Sequence, residues 1–97
     1  MVKRIVWSRI AVADRIQILD YWFQRTGNKN YSRKLDKSFR NIVRLLANYP
    51  RLGRKIEKHD ERCFIKDSYV IFYRSIDISI EILHIWDSRR DPDDLKL

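Results

Sequence analysis

The sequence predicts an α+β fold in the order β-α-α-β-β-β, an antiparallel sheet packed on a two-helix hairpin. Three observations carry this. Apolar residues recur at +3 and +4 spacing through residues 8–48, with a break at Gly27. From Arg62 to Trp86 the chain turns to β-formers punctuated by short polar pairs. Ninety-seven residues, 44% hydrophobic and 35% charged, make one globular domain spanning 1–97, with a single core.

Residues 3–7, rich in Val, Ile and Trp, read as a short strand. Ser8 is the N-cap of a first helix running to about Arg25, with Val12, Ile16, Leu19 and Phe23 as its apolar stripe, flanked by Ala11, Ile18 and Trp22. Gly27 supplies the left-handed residue that closes it. A second helix is expected over 29–48. Its apolar face is Tyr31, Leu35, Phe39, Ile42, Leu45 or Leu46, and Tyr49; Arg33, Lys37, Arg40 and Arg44 run along the opposite side. So short a turn between two long helices makes them an antiparallel hairpin, and Pro50 ends the second.

Residues 50–61 read as a polar connector. Strands are expected at 62–66 and 69–74, joined by Asp67-Ser68, and at 78–86 after a turn at 75–77. Parity places Ile78, Ile80 and Ile82 on one face, with His84 and Trp86 continuing it. Pro92, Asp93 and Asp94 can open a last helical turn. The helix hairpin buries one sheet face, leaving the other open enough for a groove.

With 21 Lys and Arg against 13 Asp and Glu, the net charge is +8. A field of that sign favours nucleic acid, an anionic membrane surface or an acidic protein; the plainer reading is a charge that maintains solubility. Cys63 is the only cysteine, so an internal disulfide and a cysteine-based zinc site are excluded, which fits a reducing compartment. The two histidines, Cys63 and the scattered carboxylates show no metal-ligand spacing, and no cofactor motif is present. No apolar run suits a signal peptide or reaches the roughly 18 residues of a membrane span, so a cytoplasmic protein is expected.

Across nearly its whole length the chain resembles the RelE/ParE superfamily of bacterial type II toxin–antitoxin toxins. The residues that carry the resemblance are Trp7-Ser8 with Ala11, Tyr21-Trp22, Pro50-Arg51-Leu52-Gly53, Arg62, the strand from Tyr69 to Tyr73, and the run from Ile82 to Pro92. The resemblance implies a growth-inhibiting toxin held inactive in a hetero-oligomer with a cognate antitoxin. RelE-like members cleave mRNA on the ribosome without a metal; ParE-like members inhibit DNA gyrase and are not hydrolases. RelE-type nucleases often carry a tyrosine near the C-terminus, whereas the last one here is Tyr73; many ParE-like relatives have histidine where Asp87 stands. The positions of the cations tip the expectation slightly toward the endoribonuclease, with gyrase inhibition as the alternative. A non-toxic nucleic-acid-binding module is the further alternative, since it needs only the charge and the aromatics.

A metal-free ribonuclease needs a base, an acid and cations on the scissile phosphate. Arg62, Lys55 and Arg89 are the candidate cations at a catalytic site, and Arg51, Arg54 and Arg90 the candidate nucleic-acid contacts. Arg62 leads because guanidinium grips phosphate bidentately; its structural alternative is a surface pair with Asp60 or Glu61. His84 is the candidate acid or base, against the commoner reading of a half-buried packing residue. Trp86 is a candidate base-stacking residue, while Tyr69 and Tyr73 read first as core. His59 reads as solvated, and the Arg33–Arg44 stripe as solvated surface or a contact for ribosomal RNA or an acidic antitoxin.

Overall fold

The computed structural model describes residues 2–89. In chain order the elements are β1 (Arg4–Trp7), α1 (Arg9–Thr26), α2 (Asn30–Asn48), β2 (Arg54–Lys55), β3 (Arg62–Lys66), β4 (Tyr69–Ile76) and β5 (Ser79–Asp87). The strands form one sheet in the order β1-β5-β4-β3-β2. Two features differ from expectation. The connector contributes a strand, β2, which pairs antiparallel with Arg62 and Cys63. The sheet is also mixed, because β1 runs parallel to β5, with Arg4 opposite Ser79 and Trp7 opposite Ile82. None of the helices in the described residues is long and apolar enough to cross a membrane.

The helix ends follow local chemistry. Ser8 Oγ accepts the Ala11 N–H at 3.0 Å and donates to the Leu83 carbonyl at 2.9 Å, so the cap also ties α1 to β5. Gly27, at φ 75°, closes α1 by donating its N–H to the Phe23 carbonyl. Ser32 Oγ donates to the Leu19 carbonyl at 2.7 Å, and Arg15 meets Asp36 at 2.6 Å, fixing the helices together.

Phe39, Val43, Leu46 and Ala47 of α2 meet Tyr69, Ile71, Tyr73, Ile80, Ile82 and Ile85 of the sheet in one buried cluster. Each large side chain buried there contributes about 1.5–3 kcal/mol. The expected α2 face is right at its centre, with Leu46 rather than Leu45 turned inward, but Tyr31 and Tyr49 are exposed. On α1 the buried residue is Ala11, with Ile18 packing on the core, while Val12 and Ile16 are exposed. That helix is apolar on two sides, so spacing alone did not fix which side turns inward.

β5 departs from simple alternation. Phe72 stands opposite His84, yet the next residue, Tyr73, stands opposite Ile82, so Leu83 is an extra, unpaired residue. This bulge reverses parity: Ile80 and Ile82 face the core before it, and Ile85 does so after it. His84 therefore does not continue the Ile80–Ile82 face, nor does Trp86, and Ile78 lies outside the strand and is exposed. The expectation that these five share one face is corrected by that inserted residue for His84 and Trp86, and by the start of β5 at Ser79 for Ile78.

Candidate functional site

The site is set by how the α2–β2 connector returns to the sheet. Tyr73, fully buried in the middle of β4, donates its hydroxyl proton to the Pro50 carbonyl at 2.8 Å and accepts the Gly53 N–H at 2.8 Å. Burial pushes the Tyr73 hydroxyl pKa upward, so the proton needed for that donation is retained. A Cβ on Gly53 would stand 2.5 Å from Tyr73 Oη and 2.8 Å from the Cys63 carbonyl, so glycine is required by close approach. Arg62, opposite Tyr73 in the ladder, donates Nη1 to the Gly53 carbonyl at 2.9 Å. Both polar backbone atoms of Gly53 are thus held by side chains of the sheet.

This fastening brings Arg51, Lys55, Arg62 and Arg74 around a cleft of about 440 Å³, with Asp60 the acid on its lining. The cleft lies where β4 runs on past the start of β3. Two of its guanidiniums are pre-positioned, Arg62 by the Gly53 carbonyl and Arg74 by Glu81 at 3.0 Å. Arg74 Nε is buried and has no hydrogen-bond partner among the described residues. Arg74 was not singled out from the sequence, because an arginine inside a strand gives no local signal. Arg62 shares the sheet face of Tyr73, the side the helices pack on, rather than the opposite face where the groove was expected.

The other sequence candidates fall elsewhere. Arg54 opposes Cys63, on the other face of β2 from Lys55. Arg89 sits at the far end of β4, beside Tyr69, four residues and about 13 Å of strand from Tyr73. There it makes a bidentate pair with Asp87, at 2.9 and 2.7 Å, and its guanidinium lies 5.2 Å from the Trp22 ring centre. The Asp87 hydrogen bond raises its pKa and keeps it firmly charged. Trp86 opposes Val70 and is partly buried. Arg90 lies outside the described residues, as does the turn expected near Pro92.

His84 occupies a different environment. Its Nδ1 is 3.3 Å from Asp14 Oδ2, and the same oxygen accepts the Ile85 N–H at 3.1 Å, occupying an amide that β1 is too short to reach. The ring stands edge-on to Phe72. Its pocket, about 280 Å³, is lined by Ile56, Leu83, His59 and Glu61 with Ser8 and Ile10, and none of the four cleft cations is among them. His59 is exposed and lies 3.6 Å from Glu61. The imidazole and the four cleft cations thus line different pockets.

The family model of the ParE toxin of the type II toxin–antitoxin system parDE matches residues 5–92. The chain belongs to the ParE toxin family. It is a toxin of the ParE type. Among solved structures, a chain described as "Chromosomal ParDE TA system from P. aeruginosa" superposes with a TM-score of 0.75 at 23% identity, over 87% of this chain and 94% of that one. At that identity the likeness shows the shared fold. No curated protein is similar enough to this sequence to count as a match. ParE membership agrees with the superfamily resemblance read from the sequence and narrows it to one branch.

Proposed function

We propose that this chain arrests growth by poisoning DNA gyrase and hydrolyses no nucleic acid, and that a cognate antitoxin holds it inactive. The observation that carries this is the ParE family match over residues 5–92. The RelE-like endonuclease preferred from the sequence gains nothing from that match, and the placement of His84 in a different pocket from the cleft cations weighs against it. The antitoxin partner is inferred from the toxin family and from the ParDE description of the P. aeruginosa structure. Within this reading the cleft of Arg51, Lys55, Arg62 and Arg74 is the contact for an anionic group of the gyrase–DNA complex.

The test adds purified protein to gyrase with supercoiled plasmid and, separately, to translating ribosomes. Linear plasmid released on denaturing the trapped complexes is the expected result, with intact mRNA in the ribosome arm. Codon-phased mRNA cuts and no trapped complexes would replace gyrase by the ribosome as target. The double variant Arg51→Ala, Lys55→Ala should lower the yield of trapped complexes roughly tenfold, the scale of lost charge-assisted hydrogen bonds. Both side chains are exposed, so the fold should persist. Full activity in that variant would remove the cleft from the mechanism.

A further inference from the structure

Half of the chain's net charge of +8 sits on α2, which carries five cations and one acid, Asp36. At about 100° per residue, Arg33, Lys34, Lys37, Arg40 and Arg44 fall within an arc of about 120°. Asn30, Asn41 and Asn48 fall in the same arc, which contains no acid and no apolar residue. All eight side chains are exposed. Asp36 lies at the border of this face and is engaged by Arg15 at 2.6 Å and Arg40 at 3.4 Å. Like charges at i,i+4 weaken a helix by a few tenths of a kcal/mol per pair, and this face carries the pairs Arg33–Lys37 and Arg40–Arg44, with Asp36 pairing Arg40 from its border.

We infer that this face of α2 is a binding surface for duplex DNA, gripping the phosphate backbone. An acidic peptide is the poorer fit: Arg clusters do recognise acidic motifs, but the arc offers no apolar anchor on which a helix could also seat itself. A phosphodiester backbone needs cations in a row with amides as extra donors, and that is the composition here. Arg33 to Arg44 spans about 16 Å of helix axis. Phosphates of one duplex strand rise about 3.4 Å each along the duplex axis and lie roughly twice that far apart along the winding strand, so the row is long enough to meet about two or three of them. The surface is distinct from the cleft of Arg51, Lys55, Arg62 and Arg74, and it stands whether or not gyrase is the target.

The test is equilibrium binding of the purified chain alone to a fluorescent 20-base-pair duplex of arbitrary sequence, titrated from 50 to 200 mM salt. The triple variant Arg33→Gln, Lys37→Gln, Arg44→Gln keeps good helix formers at exposed positions, and thermal melts confirm its fold. Removing three phosphate contacts should weaken binding at least tenfold and lower the slope of log K against log salt by about 2.7. The charge-keeping variant Arg33→Lys, Arg44→Lys should bind nearly as the parent does, and Arg51→Ala, Lys55→Ala should retain most of the slope. Parent-like binding by the folded triple variant would overturn the inference, as would absence of duplex binding by the parent at 50 mM salt. Displacement of the duplex by polyglutamate as effectively as by unlabelled duplex would overturn it in favour of an acidic protein. Because gyrase is absent, a failure here leaves the plasmid assay unaffected, and the reverse also holds.

Discussion

Tyr73 does two jobs with one side chain. Its ring fills the core beneath α2, and its hydroxyl fastens the connector at Pro50 and Gly53. From the sequence it read as core, which is half of its role; the partner atoms are backbone groups 20 and 23 residues away, and no local pattern announces them. Tyr73→Phe leaves a buried N–H and a carbonyl without their partner, a loss of about 1–3 kcal/mol. The sign of the pH effect follows from the same burial. The folded-state pKa lies above the unfolded tyrosine value of 10.0, so the stabilisation is complete below about pH 10 and is lost as pH rises through the folded pKa. Thermal melts at pH 8 and near pH 11 should show a drop in midpoint for the parent that is smaller in Tyr73→Phe. An equal drop in both proteins would assign the alkaline loss to other groups, such as Tyr69, whose pKa burial also raises.

Elements were legible where their signals are local. Ser8 and Gly27 bound α1 as their chemistry dictates, and the Asp67-Ser68 turn joins the strands expected on either side. What was not legible depended on distant partners. β2 exists because β3 offers it an edge, and nothing in Arg54-Lys55 alone specifies a strand. The parallel pairing of β1 required both helices to be placed first. The bulge at Leu83 carries no residue signature, and it carried His84 away from the assigned face. The candidate site was read in part for the same reason: Arg51, Lys55 and Arg62 are drawn together by the Tyr73 fastening, while Arg54, His84 and Arg89 are directed elsewhere by strand parity, Asp14 and Asp87. At this scale the Ser8 cap is testable. Ser8→Ala removes the acceptor for Ala11 N–H and the donor to Leu83, and should cost about 1–2 kcal/mol in denaturant unfolding. A loss within a few tenths would show that backbone contacts alone hold α1 to β5.

The whole molecule carries its +8 on a small surface, with half of it concentrated on α2. Such a charge favours encounter with polyanions and strains the compact state by self-repulsion. Added salt screens that repulsion, with a Debye length falling from roughly 30 Å at 0.01 M to about 10 Å at 0.1 M. The thermal midpoint should therefore rise by a few degrees between 10 and 100 mM sodium chloride, and rise less when α2 cations are replaced by glutamine. A midpoint that declines with salt would mean that attractive pairs such as Arg15–Asp36 and Arg74–Glu81 outweigh the repulsion.

The fastening of the connector has a consequence for how the cleft meets a ligand. Gly53 is gripped from two strands at once, by Tyr73 of β4 and Arg62 of β3, so the segment bearing Arg51 and Lys55 has no hinge of its own. Its opening is coupled to the parting of β3 and β4, and core strands lie toward the stable end of local opening. An incoming anion then meets charges already in place, and little of its binding energy is spent on ordering the backbone that presents them.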